Sequence, residues 1–319
     1  MNPLSVLFGV GVRARNTLYD RGIARSQKLR GPVVSIGNVS VGGSGKTPFV
    51  LLLGEALKTR GIKFDVLSRG YGRVTRGLAM VDPGGSARDF GDEPLLLARR
   101  LNVSVVVSED RYHAGIFAES RFGVQLHLLD DGFQHRSLFR DFDIVLITPE
   151  DARDRLLPAG RLREPLTSLQ RADAIVLTSG ASQESLTRDE KLQGKLFWRV
   201  RRGIEPPPNV PARPVVFCGI ARPKNFVTQL RTAGIEPAAE AFYRDHHFYT
   251  ERDVRDLVNL RKQSEADGFV TTEKDAVNLG GFLAALEPLA VVPVKMELTD
   301  AANAVDTILG RIQELTRLA

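Results

Sequence analysis

The sequence predicts an α/β fold, a mostly parallel sheet with helices on both faces, followed by a second, smaller α/β domain. Three observations carry this. Short runs rich in Val, Ile and Leu alternate with helix-like stretches through most of the 319 residues, the pattern of strands buried on both faces by crossover helices. A glycine-rich segment stands between the first such run and the first long helical pattern. A proline-rich stretch, IEPPPNVPARP, then interrupts the alternation before it resumes.

Residues 1–30 come first. Leu4, Leu7, Phe8, Val12, Leu18, Tyr19 and Ile23 recur at roughly helical spacing, and Arg13, Arg15, Arg21, Arg25, Lys28 and Arg30 face only Asp20 in the same segment. A basic amphipathic helix of this kind lies in a membrane interface or packs its stripe on the domain, and the segment by itself fits both. The uncharged run from Met1 to Val12 is too short to span a bilayer and its basic residues follow it, so neither a transmembrane helix nor a secretory signal is expected. Residues 31–38 then read as a buried strand, and Thr47 to Lys58 as a helix ended by Gly61. Lys63–Ser68, Val103–Ser108, Val124–Asp130, Asp143–Thr148 and Ala174–Thr178 continue the alternation, giving a first domain over 31–194. A linker is expected over 195–213. The smaller domain covers 214–319, with strands at Val215–Gly219, Gly268–Thr271 and Ala290–Val294 and helices at Asn225–Thr232 and Glu251–Gln263.

Composition bounds the function. With 43% hydrophobic and 26% charged residues the chain is ordinary globular protein. Its formal charge of +6 implies anionic partners. The basic residues lie in separate loops without a recognisable nucleic-acid module, so a nucleic-acid partner is not expected. Cys218 is the single cysteine, which excludes an internal disulfide and zinc-type Cys/His spacing.

The strongest motif is Ser40-Val-Gly-Gly-Ser-Gly-Lys-Thr47, between a predicted strand and a predicted helix. Its glycines let backbone N–H groups close around phosphate oxygens, and the helix adds its positive end. Gly42, Gly43, Ser44, Gly45, Lys46, Thr47 and Pro48 are therefore expected around ATP, with Lys46 on the terminal phosphates and the Thr47 hydroxyl on Mg²⁺. Ser40 departs from the Walker A pattern, which has Gly there. A second apolar run ends in Asp130-Asp131, a Walker B arrangement in which the acid holds Mg²⁺. Together these make the sheet P-loop-type.

Phosphoryl transfer also needs a group that orients or deprotonates the acceptor. Gly91-Asp92-Glu93-Pro94 opens a helix-like stretch, and on spacing alone reads as its cap. Asp245-His246-His247 fits a proton-accepting unit and a polar loop equally. Two basic clusters, Ser68–Arg73 with Arg69 and Arg73, and Leu157–Pro165 with Arg161 and Arg163, are candidate clamps for substrate or nucleotide phosphates, or solvated loops. Thr271-Thr-Glu-Lys-Asp275 follows a strand and is either a helix cap or a contact across a cleft.

These pieces, with Gly37-Asn38 and Leu128-Leu-Asp-Asp-Gly-Phe-Gln-His135, occur together and in order from about residue 1 to 280 in a way that resembles the tetraacyldisaccharide 4′-kinase (lipid A 4′-kinase) family. The resemblance implies ATP-dependent phosphorylation of the 4′-hydroxyl of a tetraacylated glucosamine disaccharide 1-phosphate, an acylated glycolipid, yielding the lipid A precursor lipid IVA at the cytoplasmic face of the inner membrane. It implies two α/β domains joined by a β-hairpin linker, with catalysis between them. It gives Lys46 to the phosphates, Thr47 and Asp131 to Mg²⁺ with Asp130 in support and Glu164 near the metal, and Asp92 with His246 as the dyad taking the acceptor proton. It also tilts residues 1–30 toward an anionic membrane surface. No obligate protein partner is implied. The competing reading is a membrane-associated partition or targeting ATPase, whose loop has Lys where Val41 stands here. A nucleotide-switched binding module, which transfers no phosphoryl group, is a further alternative.

Overall fold

A computed structural model describes residues 2–178, 180–187 and 190–318. Met1 and Ala319, the outer ends of the expected 1–30 and 214–319 segments, lie outside them. The strands are β1 (Val33–Asn38), β2 (Phe64–Ser68), β3 (Ala79–Met80), β4 (Val105–Val107), β5 (Leu126–Asp130), β6 (Phe142–Ile147), β7 (Ala174–Leu177), β8 (Leu196–Ile204), β9 (Pro214–Cys218), β10 (Ala239–Phe242), β11 (Gly268–Thr272), β12 (Leu289–Val292) and β13 (Val294–Leu298). The α-helices are α1 (Pro3–Asp20), α2 (Lys46–Thr59), α3 (Ala87–Phe90), α4 (Asp92–Leu101), α5 (Arg111–Glu119), α6 (Gln183–Thr187), α7 (Pro223–Thr232), α8 (Glu251–Gln263), α9 (Glu273–Leu279) and α10 (Ala301–Leu318).

Nine strands form one sheet in the order β13-β8-β7-β6-β1-β5-β2-β4-β3, and four form another in the order β10-β9-β11-β12. The small sheet is parallel throughout, and the large one is parallel except where β13 meets β8 and β3 meets β4 at its two edges. Parallel strands are buried on both faces, which is why β1, β2, β5 and β6 are wholly buried and read as unbroken apolar runs. On one face of the large sheet Ile36, Leu128 and Leu146 pack with Phe49, Leu53 and Leu57 of α2, Leu97 of α4 and Ile308 of α10. Phe217 and Phe269 centre one core of the small sheet, and Val216 and Val270 the core on its opposite face.

Both sheets reverse direction at their middle. From β1 the chain runs out on one side through β2 to β4 and returns to lay β5 beside β1, then continues on the other side through β6 and β7; the small sheet likewise passes from β9 to β10 on one side and to β11 and β12 on the other. The crevice beyond the carboxyl ends of the strands at such a point is where α/β sheets bind ligands. Here the two crevices face each other.

Three expected boundaries move. The N-terminal helix stops at Asp20, not near residue 30, because Arg21 caps it and Gly22 turns into the left-handed region at φ 69°. Within the expected linker, Leu196–Ile204 is β8, parallel to β7 in the large sheet. The C-terminal part of 214–319 returns to that sheet: β13 runs antiparallel to β8, pairing Val294 with Ile204, and α10 packs on α2 and β6. β8 and β13 thus make the two-stranded connection, although their pairing spans the entire small sheet rather than a local hairpin.

Candidate active site

The loop after β1 is built on three glycines. Gly42, Gly43 and Gly45 all have positive φ, at 76°, 61° and 88°, a backbone that L side chains rarely adopt. The space is closed as well: a Cβ on Gly45 would lie 2.9 Å from Met296 Cε of β13, and one on Gly43 3.2 Å from Arg222. Asn38, the last residue of β1, organises the loop. Its amide donates to Ser44 Oγ at 2.8 Å and its Oδ1 accepts from Lys46 Nζ at 3.2 Å. Thr47 is buried in the first turn of α2. Pro48 has no N–H to offer a phosphate, so its place in that turn is conformational rather than ligand-binding.

Asp130 and Asp131 end β5 beside this loop. Asp131 takes the left-handed backbone at φ 51°, and its carboxylate meets Lys46 Nζ at 3.4 Å and Arg163 in a bidentate pair at 2.8 and 3.0 Å. Burial alone would raise Asp131, but Lys46 and Arg163 hold it well below the usual carboxylate range. Asp130 is treated oppositely. Burial, with Glu93 and Asp131 nearby, pushes it up to about 7. Ser68 donates to its Oδ2 at 3.0 Å, while its Oδ1 is buried with no partner.

An orphaned carboxylate oxygen beside a buried threonine and a glycine cradle fits Mg²⁺ with a nucleotide triphosphate, since Mg²⁺ takes one or two carboxylates, a hydroxyl and phosphate oxygens. Among the described residues no cluster of three His, Cys, Asp or Glu is placed to hold a metal by itself, consistent with a metal that arrives with phosphate.

Glu164 is the exception within the expected metal set. Its carboxylate is fully buried and accepts from Arg15 at 3.0 Å, Asn16 at 2.9 Å and Arg171 at 3.0 Å. Two guanidinium groups and an amide meet it here, so in this structure it ties α1 to the body.

Arg163 reaches the phosphate loop because residues 39–41 pair with 161–163: Arg163 N donates to Val39 O and Val41 N to Arg161 O. It therefore belongs to the nucleotide site, beside Lys46. The other expected clamps are otherwise engaged. Arg161 pairs with Asp154 at 2.9 Å, and Arg73 with Glu109 at 2.9 Å. Arg69 is exposed after β2 and lies close enough to Arg111 to depress its basicity.

A second cluster of charged groups forms where α4 meets the small sheet's loops. Asp92 opens α4 and is 3% exposed. His246, at φ 60°, comes from the loop after β10 and places Nδ1 2.9 Å from both oxygens of Asp92. Asn278 of α9 donates to Asp92 Oδ2 at 3.0 Å, and the backbone N–H of Glu93 to Oδ1 at 2.8 Å. Burial works against ionised Asp92, yet these donors and Lys274 lower it; burial alone would lower His246, yet Asp92 raises it. His247 is turned away and pairs with Asp253 at 3.1 Å. The geometry thus separates two histidines that sequence could not.

Two residues escaped the sequence reading. Arg111, at the start of α5, is 6% exposed; burial lowers it to about 10, and its charge acts on Asp130 and Asp131. Lys274 joins Glu93, Asp245 and Asp92. No motif marks Arg111, and the Thr271–Asp275 run contains Lys274 without giving it a role; burial beside carboxylates singles out both.

Comparison with known proteins identifies the family. The family model for LpxK, tetraacyldisaccharide-1-P 4'-kinase, matches residues 1–313. Among curated relatives named tetraacyldisaccharide 4'-kinase, that of Koribacter versatilis is 51% identical over 98% of this chain and 99% of its own. That of Geobacter metallireducens is 37% identical over 96% of each. The crystal structure of LpxK from Aquifex aeolicus in complex with ATP superposes with a TM-score of 0.77 at 36% identity, covering 97% of this chain and 98% of that one. With sequence, fold and the phosphate-loop site in agreement, the chain belongs to the tetraacyldisaccharide-1-P 4'-kinase family.

Proposed function

We infer that this chain transfers the γ-phosphoryl group of ATP to the 4′-hydroxyl of a tetraacylated glucosamine disaccharide 1-phosphate, giving ADP and lipid IVA. The observation that carries it is the Asp92–His246 pair, which joins the large sheet's α4 to the small sheet's loop beside the Lys46–Asp131 phosphate site. An ATPase of the partition type has no use for such a pair, and Val41 lacks the lysine of that loop, so that alternative is not favoured.

The roles follow from the geometry. The loop amides of 42–47 and Lys46 would bind the phosphates, Arg163 and Arg111 would add positive charge where negative charge accumulates, and Thr47, Asp130 and Asp131 would hold Mg²⁺. When bound, Mg²⁺ would supply neutralisation of the phosphate charge. The dyad takes the proton that the sugar hydroxyl loses as its oxygen bonds to phosphorus and the bond to the ADP oxygen breaks. Because Asp92 and His246 stand on different sheets, the dyad is complete only when the two come together, which limits transfer to water.

The acceptor's membrane location accounts for α1. No helix among the described residues is long and apolar enough to cross a membrane. Yet Leu4, Leu7 and Val10 of α1 are 61%, 69% and 56% exposed, while its opposite side is docked through Gly9, Ser5, Asn16 and Arg15. An apolar helix face left in solvent, flanked by arginines, suits the anionic cytoplasmic face of the inner membrane. These features support a peripheral position on that surface.

Transfer of ³²P from γ-labelled ATP to a tetraacyl disaccharide 1-phosphate in detergent micelles tests the reading, with Lys46→Ala as control. Labelled glycolipid that depends on Lys46 is expected; ATP hydrolysis without labelled lipid refutes it.

A further inference from the structure

Lys274 makes contacts that nucleotide binding does not require. It stands in the first turn of α9, and its Nζ lies 2.9 Å from Asp245 Oδ1, 3.4 Å from Glu93 Oε1 and 3.8 Å from Asp92 Oδ2. The same nitrogen is 3.3 Å from His246 Nε2. The side chain is 16% exposed. An ammonium group has only hydrogens to offer. The imidazole nitrogen facing it therefore presents its lone pair, and the ring hydrogen sits on Nδ1, directed at Asp92.

We propose that Lys274 is a positioning residue for the acceptor-activating dyad: its ammonium fixes His246 in the Nδ1–H tautomer and ties the histidine's loop to α4 through Glu93. This rests on the reading that Asp92 and His246 act on the sugar hydroxyl.

Three further features support it. First, Lys274 is held charged: burial alone would lower it, but Glu93, Asp92 and Asp245 raise it above its ordinary value. Second, the groups around His246 oppose one another. Asp92 from α4 and Asp245 from its own loop favour the imidazolium, Lys274 from α9 disfavours it, and the Tyr71 ring, with centroids 5.0 Å apart, covers it from the loop after β2. Without Lys274 the carboxylates would drive the ring to its doubly protonated form, which has no lone pair left to accept a proton. Third, Lys274 contacts residues of both sheets, Asp245 beside the small one and Glu93 and Asp92 on α4 of the large one, so it bridges the two elements that supply the dyad.

The test uses the full chain with ¹⁵N-labelled histidine, wild type and the variants Lys274→Met and Lys274→Arg. Long-range ¹H–¹⁵N spectra, assigned with His246→Asn, report which ring nitrogen carries hydrogen and how His246 titrates, independently of activity. Wild type is expected to show hydrogen on Nδ1. In Lys274→Met the pKa of His246 is expected to rise by about one pH unit, and the acidic limb of kcat to move by the same amount; Lys274→Arg restores both. An unchanged His246 titration in Lys274→Met, with kcat lowered equally at every pH, would overturn the proposal and leave Lys274 a structural role only. Hydrogen on Nε2 in the wild-type spectrum would overturn it too, even if Lys274→Met does not fold. Full turnover in Asp92→Asn and His246→Asn would remove the dyad reading, while the titration still decides what Lys274 does to the ring.

Discussion

Replacing Asp92 by Asn removes one charge and almost no volume, so the hydrogen-bond geometry sets the size of the effect. The carboxylate accepts from His246 Nδ1, from Glu93 N on Oδ1 and from Asn278 Nδ2 on Oδ2. An amide has one oxygen and one NH₂. Whichever way it turns, its NH₂ opposes either the Glu93 N–H or the Asn278 amide. The His246 ring could move its hydrogen to Nε2, but that atom faces the Lys274 ammonium at 3.3 Å. Two charge-assisted hydrogen bonds are therefore lost or weakened, at about 1.5–3 kcal/mol each. Their sum of about 3–6 kcal/mol corresponds to roughly 10²–10⁴ in rate, the range a general base contributes. The assay is steady-state kcat at saturating MgATP with glycolipid in micelles, alongside the calorimetric Kd for MgATP. The expectation is a fall in kcat within that range and a nucleotide Kd changed by less than about threefold. A kcat within about threefold of wild type, or a nucleotide affinity that falls in step with kcat, would refute the assignment of Asp92 to the acceptor.

Three other expectations come from the packing and the charges. Gly37→Ala would place a Cβ 2.5 Å from Phe133 Cβ and 2.8 Å from Phe133 N; backbone cannot yield there, so a loss of about 1–3 kcal/mol is expected from overpacking, and an unchanged denaturant midpoint would contradict it. Serine at Leu4, Leu7 and Val10 together should weaken partition to anionic vesicles about tenfold or more while leaving the thermal midpoint in solution unchanged; equal vesicle binding would count against α1 as the membrane face. His127 and Asp65 are fully buried and 2.8 Å apart at the other end of the sheet, where burial alone would lower His127 but Asp65 and Glu119 raise it above 6.5. A raised histidine stabilises fully below its unfolded pKa and loses that contribution as pH climbs through the folded value, so the thermal advantage of wild type over His127→Gln should shrink as pH rises above the ordinary histidine range; a constant difference would show that the pair does not titrate.

The strands were legible because parallel strands buried on both faces must be apolar throughout. Phe64–Ser68, Leu126–Asp130 and Phe142–Ile147 fall within or beside the runs read from sequence. The phosphate loop was legible because its glycines answer a local backbone demand that distant residues do not alter. What stayed hidden depends on pairing at a distance. Nothing near Glu164 says that Arg15, 149 positions earlier, will reach its carboxylate and tie α1 to the body. The half-buried β8 strand looked like a linker because its partner, β13, lies almost ninety residues on and beyond the whole small sheet. Lys274 and Arg111 act through burial beside carboxylates, and burial is a property of the assembled molecule. Asp92 shows the same limit in another form: it opens a helix with Gly91 at φ 90° as the sequence suggests, and only His246 arriving from the other sheet turns a capping position into a candidate base.

The adjacency of Ile204 and Val294 has an engineering consequence. The small sheet is threaded into the large one like an insert whose entry and exit are neighbouring rungs of one ladder. Excising residues 205–293 and bridging those rungs with a two-residue Asn-Gly turn would leave the nine-strand order intact, since each remaining strand keeps its neighbours. The trimmed protein would retain the phosphate loop, Asp130, Asp131 and Arg163 but lose His246 and Lys274 together. Catalysis and nucleotide recognition would then be divided between separable genetic cassettes, so the smaller one is open to exchange for another acceptor without redesigning the nucleotide site.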